Sequence, residues 1–469
     1  MRIYLVFVLF CLFPLSNFAT TISCSNADYS GKELLFYKLS DPISGEKEPA
    51  FTLTFDLAGK ASATIKHQQT LYAFSEFGVY KGMLTIEPDK SITLNLPPLR
   101  EKSFANQKNP YFTPVAFWFV TESANQLTDK ISSFEQDLNL LTDKYFNQLY
   151  FQQNKTIYDS LTLQLNTKYP ETSPKAFVLH KNLKTELVRA DIFRLRPEEY
   201  SNVFNEIQPE FWTHEAFVTL FEKTFEGQLS FSAKAIKGKE VNAAVEKQDV
   251  NALLNFTKTK YKVSGKMAEL VLLKLLHDGF YSGEFSQTTI ANMVSSSLFT
   301  NNSNPLIKTA AKNVAAKFSF LQKGSLAPEI CLTDLKGAKH CTNSDQTKFK
   351  YIVFADVETV VCQEHLKYLS RINELFNKHL DIFVVLRDTD KKGIETFMEA
   401  NKLPGVQVVD SKNRYIEKYK IRSFPQCFLL NEKHEITFTN TNAPLDGFEQ
   451  QFGTYLRNEL FMRQRNQSQ

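Results

Sequence analysis

Phe349-Lys350-Tyr351-Ile352-Val353-Phe354 is the stretch on which the fold of this chain turns. A short run with so few polar positions reads as a strand buried on both faces. Downstream, Leu366, Leu369, Ile372 and Phe376 recur at spacings of three and four, which predicts an amphipathic helix over Cys362 to Phe376. Ile382 to Leu386 then repeats the buried-strand pattern, and strand, helix, strand in that order predicts a parallel pair with a right-handed crossover. Gly405 to Asp410 and Tyr415 to Ile421 lead on to Phe424-Pro425-Gln426-Cys427-Phe428-Leu429-Leu430, a further strand entered through a proline turn.

Upstream of that unit, Ala327-Pro328-Glu329-Ile330-Cys331-Leu332-Thr333-Asp334-Leu335-Lys336-Gly337 resembles the opening hairpin of the TlpA-type thioredoxin-like thiol:disulfide oxidoreductases of bacterial, Bacteroidetes-like envelopes. That family's pattern is A-P-D-F-x-L-x-D-x-x-G. Ile421-Arg422-Ser423-Phe424-Pro425 looks like its cis-proline loop, and Asp28-Tyr29-Ser30-Gly31-Lys32 is similar to the first turn of the N-terminal domain in its larger members. The resemblance implies an α/β thioredoxin-like domain over residues 324–462 with a C-x-x-C pair at the start of its first long helix.

This chain departs from the family at that pair. Aligned on Cys362 and Leu366 it reads Glu358-Thr359-Val360-Val361-Cys362, so Thr359 replaces the attacking cysteine and Cys362 keeps the resolving position. The attacking species must be a thiolate, favoured by the helix dipole, and a hydroxyl does not substitute for it. Ordinary dithiol exchange is expected to fail. Pro425, if cis, leaves the backbone beside Phe424 open to an extended segment, the alternative being a turn kept for folding.

The chain holds six cysteines, of which Cys11 lies in an expected leader. Cys24, Cys331, Cys341, Cys362 and Cys427 remain, and five cannot all pair within one chain. Cys331 and Cys341 flank the turn at Lys336-Gly337 and are candidates for a structural disulfide, or else two buried thiols. Cys427 follows Pro425 on a strand expected beside the one leading to Cys362. The pair is either bridged, or two inert core thiols, or leaves Cys362 a lone reactive thiol beside His365.

At the N-terminus, Arg2 precedes an apolar run from Ile3 to Leu15 and then Ser16-Asn17-Phe18-Ala19, the pattern of a secretory signal peptide over residues 1–19. Lipid attachment at Cys24 is the lesser alternative, as a buried thiol is the usual fate of such a residue. No later run approaches the roughly 20 apolar residues of a spanning helix. Between residues 20 and 100 the period is two, as in Phe51, Leu53, Phe55 and Leu57, which predicts an antiparallel β-sandwich ending at Pro97-Pro98. From 101 to 320 the period becomes helical, with Ile131, Phe134, Leu138, Leu141, Tyr145 and Leu149 on one face.

Charged residues make up 23% of the chain and the net charge is only +4, with no basic block, which argues against nucleic acid as a partner. No H-x-x-x-H pair, Cys/His cluster, phosphate loop or G-x-S-x-G elbow occurs, so neither metal nor nucleotide cofactor is implied. The expectation is an exported, multidomain protein of the periplasm or cell envelope. It is related to thiol-disulfide oxidoreductases but has lost or altered redox activity, and it binds or scaffolds protein or peptide clients. The alternative is a working oxidoreductase using Cys362, alone or with Cys427.

Overall fold

The computed structural model describes residues 19–109, 111–122, 126–170, 172, 174–235, 238–344, 347–387, 391–411 and 413–467. Residues 1–18, which hold the expected leader up to Ala19 and Cys11, lie outside the described residues. The chain divides into two compact units, 1–315 and 316–469.

The first unit opens with nine strands: β1 (Ala19–Ser25), β2 (Glu33–Leu39), β3 (Lys47–Thr54), β4 (Lys60–Lys66), β5 (Leu71–Phe77), β6 (Tyr80–Ile86), β7 (Ser91–Asn95), β8 (Val115–Trp118) and β9 (Val120–Thr121). They form two sheets of order β4-β1-β7-β9 and β3-β2-β5-β6-β8. The period-two reading holds through β3 to Phe55, with Phe51, Leu53 and Phe55 buried and Thr52 and Thr54 exposed, but Leu57 lies in the following turn at 93% exposure. Nor are the strands all antiparallel, since β1 pairs with β7 and β6 with β8 in parallel. Residues of both sheets, among them Ile22, Phe36, Leu53, Leu84 and Ile92, share one apolar cluster. Cys24 lies in β1 at 4% exposure, and burial pushes its thiol up to about 11.

Two strands lie beyond residue 100, and their alternation joins the sheets to the helices that follow. Phe119 turns into the sheet cluster, while its neighbour Trp118 packs with Tyr72, Phe74, Leu127, Ile131 and Phe134. Gly82 admits Phe119, since a Cβ there would stand 2.3 Å from the ring. The helix Leu127–Lys144 buries Ile131, Phe134 and Leu138 as its spacing predicts, and a π-helical turn, Asn147–Phe151, carries Leu149 into the same core. Further helices include Lys175–Ile192, Glu215–Phe225, Gly265–Tyr281 and Pro305–Ser319.

A buried carboxylate ties the sheets to the last of these helices. Asp41, fully buried, accepts from the backbone N–H groups of Ile43 at 2.8 Å and Ser44 at 2.7 Å, and from the Asn313 amide at 2.8 Å. Removing it leaves two buried N–H donors unmatched and takes one acceptor from the half-buried Asn313 amide, which keeps Ser40 Oγ at 2.9 Å. Asp41→Ala is therefore expected to lower the stability of this unit by about 2–3 kcal/mol in urea unfolding.

In the second unit, β10 (Cys331–Thr333) and β11 (Lys339–Cys341) form a hairpin apart from the main sheet. The main sheet has the order β14-β13-β12-β15. It comprises β12 (Phe349–Ala355), β13 (Leu380–Arg387), β14 (Val406–Asp410) and β15 (Gln426–Leu430), the first three parallel and β15 antiparallel to β12. The helices are α1 (Val360–Phe376), α2 (Lys391–Asn401), α3 (Arg414–Lys418) and α4 (Glu449–Gln467).

Every residue of β12 is buried. Its odd-numbered side chains meet Leu366, Leu369 and Ile372 of α1 and Phe448 and Phe452, and its even-numbered apolar ones meet Tyr415, Tyr419 and Phe428. Two covered faces explain why the run lacks alternation. Gly405, at φ +78°, lets the chain enter β14 where a Cβ would meet the Ile382 carbonyl oxygen at 2.2 Å.

Candidate functional site

The site lies at the carboxyl ends of β12 and β13, where α1 begins. In open α/β sheets this is the end at which ligands bind. β12 runs out at Ala355, and Asp356-Val357-Glu358 form the turn into the helix. Asp356 Oδ1 accepts from the Glu358 N–H at 3.0 Å, and its carbonyl accepts from the Thr359 hydroxyl at 3.0 Å. Thr359 is the N-cap residue of α1, exposed, with its hydroxyl turned back to the turn rather than forward to the helix. Val360 and Val361, the next two residues, are 71% and 61% exposed.

Cys362 is wholly buried behind them. Burial raises its thiol above the usual range. Hydrogen bonds from Thr359 and the Asp356 backbone work against that, and the Asp356 carboxylate adds to it. At the third position of a helix the dipole favours a thiolate, and here desolvation overrides it. Cys427 faces the same core cluster from β15, opposite Val353 in the ladder. Burial pushes its thiol up to about 12, the Tyr351 hydroxyl bonding to it in partial compensation. Both cysteines are free thiols.

The other sequence-singled residues are placed as follows. His365 is buried one turn along α1, and its Nδ1 accepts the Leu445 N–H at 3.2 Å rather than serving a thiol. The Phe424–Pro425 bond is cis. Cys331 and Cys341 stand opposite each other in the β10–β11 hairpin and are joined, with an S–S distance of 2.03 Å.

Two residues of the site escaped the sequence reading. Arg387 ends β13, nearly buried, with its guanidinium 3.8 Å from the Asp356 carboxylate and 5.5 Å from the centre of the Phe424 ring. A cation thus links the α1 turn to the proline loop. The available signal was a charged residue at the end of each buried run, Asp356 after Ala355 and Arg387 after Leu386.

Among the described residues, two trios of oxygen, nitrogen and sulfur atoms lie close enough together to hold a metal: Glu329, Cys331, Cys341 and Glu135, His180, Glu215. In the first, the sulfurs are bonded to each other. In the second, the Lys184 ammonium sits 3.0 Å from Glu135 and 2.8 Å from Glu215, so the protein supplies its own cation.

Residues 324–439 match the AhpC/TSA family. The chain is 26% identical over 114 residues to the thiol-disulfide oxidoreductase ResA of Geobacillus kaustophilus, covering 24% of this chain and 66% of that one. It is 32% identical over 85 residues to the sporulation thiol-disulfide oxidoreductase A of Bacillus subtilis, covering 17% of this chain and 52% of the other. The thioredoxin domain of a thiol-disulfide oxidoreductase from Bacteroides vulgatus is 24% identical, with a TM-score of 0.26, and the match covers 28% of this chain and 96% of that domain. The chain therefore spans just under two thirds of the first relative's length and about half of the second's.

Proposed function

Because the C-terminal domain belongs to the TlpA-type thioredoxin-like family, we propose that it binds polypeptide clients at the start of α1 without exchanging disulfides there. The observation that carries this reading is the exposed Thr359 at the helix N-cap, with the nearest thiol three residues on and wholly buried. A client disulfide reaching the helix start meets a hydroxyl and two valines. The exposed Val360 and Val361 offer an apolar landing, and Arg387 and Phe424 flank it across the Asp356 turn. Export is part of the proposal, supported by the apolar leader-like run and by a disulfide of the kind that persists in oxidising compartments. Among the described residues, no helix is long and apolar enough to cross a membrane.

The test uses a reduced, carboxymethylated polypeptide as probe, with insulin reduction measured in parallel. Expected are measurable binding, an insulin rate no higher than dithiothreitol alone, and binding weakened about tenfold by Val360→Asp, a loss of about 1.4 kcal/mol. Binding unchanged by Val360→Asp removes the helix start as the docking place. Insulin turnover by the parent chain that Cys362→Ser abolishes restores the alternative of a working oxidoreductase using Cys362, alone or with Cys427, whereas turnover abolished by Cys331→Ser does not.

A further inference from the structure

Three of the described cysteines, Cys24, Cys362 and Cys427, are buried thiols whose ionisation burial opposes. The sulfurs of Cys331 and Cys341 are different: both residues are only half-buried, on a hairpin of three residue pairs that stands outside the main sheet. The turn beyond them, from Leu335 to Lys339, is exposed.

The hairpin is anchored without its bridge. Ile330 and Thr342, one step further from the turn, are buried and exchange two hydrogen bonds, at 2.9 and 3.1 Å. The Tyr415 hydroxyl receives the Cys331 N–H at 3.1 Å and reaches its carbonyl at 3.3 Å. His340 and Asp334 pair at 3.0 Å nearer the turn. Opening the disulfide therefore leaves the strands in place, and the bridge is reachable from solvent.

We propose that Cys331–Cys341, and not the start of α1, is the thiol–disulfide exchange site of this chain, and that its redox partner is a dithiol. The partner's thiolate attacks Cys331 Sγ, the S–S bond breaks, and Cys341 leaves as a thiolate. The partner's second thiol then attacks the mixed disulfide and releases Cys331. The partner is oxidised to its disulfide, and two electrons and two protons pass to the hairpin. The order of events follows from Glu329, whose carboxylate oxygen lies 3.3 Å from Cys331 Sγ. The same carboxylate lies within 4.8 Å of Cys341 Sγ, so its charge disfavours both thiolates but the nearer Cys331 the more, which makes Cys341 the better leaving group. This proposal is independent of client binding at α1.

The experiment exposes the folded protein to dithiothreitol or to a reduced C-x-x-C thioredoxin at equal thiol concentration, quenches with acid, alkylates and maps the peptides. Expected is reduction of Cys331–Cys341 under native conditions with the circular dichroism spectrum unchanged, and the faster reductant identifies the partner as a small or a protein dithiol. A bridge that resists both reductants until denaturant is added overturns the proposal. A second readout uses Cys331→Ser: in the folded variant, Cys341, the sulfur whose thiolate is favoured, is expected to take up glutathione from glutathione disulfide while Cys362 and Cys427 do not. No adduct on Cys341 counts against it.

Discussion

Thr359→Cys is expected to convert the silent start of α1 into a working dithiol. The substituted position is exposed and at the N-cap, three residues before Cys362, and although the hydroxyl it replaces donates to the Asp356 carbonyl, the turn keeps the bond from the Glu358 N–H to Asp356 Oδ1. A thiol there gains the helix dipole without the burial that suppresses Cys362, and in C-x-x-C settings such thiols ionise near pH 7. The introduced thiol is expected to close a bridge to Cys362 under air. Insulin reduction should rise at least about a hundredfold over the parent chain, a modest fraction of what loss of a nucleophile costs elsewhere. Bridge formation without turnover would place the obstacle in the flanking Val360, Val361 and Arg387 rather than in the missing thiol.

The second large effect is expected in the first unit, around Glu135. Its carboxylate accepts from the Trp118 indole at 2.7 Å and lies 3.0 Å from both His180 Nε2 and the Lys184 ammonium. Burial alone would raise its pKa. The His180 hydrogen bond, Lys184 and Trp118 outweigh burial and hold it at about 2. A fall from 4.5 to about 2 corresponds to about 3 kcal/mol of stability, present above pH 4.5 and lost as pH drops toward 2. Glu135→Ala is therefore expected to destabilise the first unit by about 3 kcal/mol at pH 7 in urea unfolding, the range found for breaking one side of a buried pair. The deficit should shrink below pH 4.5, as the parent loses the same interaction.

His214 adds to the acid sensitivity. Fully enclosed, next to His180 and Lys184, it is held well below its ordinary value, chiefly by burial. The unfolded chain takes up that proton near pH 6.5 and the folded chain does not. This residue's contribution is therefore lost as pH falls below 6.5.

The sequence carried the second unit well because its signals are local. A run buried on both faces, a helix with one apolar face and a repeat of the run determine a parallel sheet, and the position of Thr359 follows from counting back from Cys362. Trp118 and Phe119 were less legible. Strands of four and two residues offer too short a window for a period, and their partners, such as Tyr80 to Met83, lie 35 residues away in the chain. Glu135, His180, Lys184 and Glu215 come from three separate helices, and the one helical spacing among them, His180 to Lys184, points to neither carboxylate. The Asp356–Arg387 contact joins two strand ends, visible only once the strands lie side by side.

The central claim is that the helix start holds no exchangeable thiol pair, and thiol mapping of the folded protein tests it most directly. Rapid alkylation before and after denaturation, read by non-reducing peptide mapping, reports each cysteine separately. The account predicts Cys362 and Cys427 as free thiols, unlabelled in the native state and labelled only after unfolding. A Cys362–Cys427 bridge, or fast native labelling of Cys362, would contradict it.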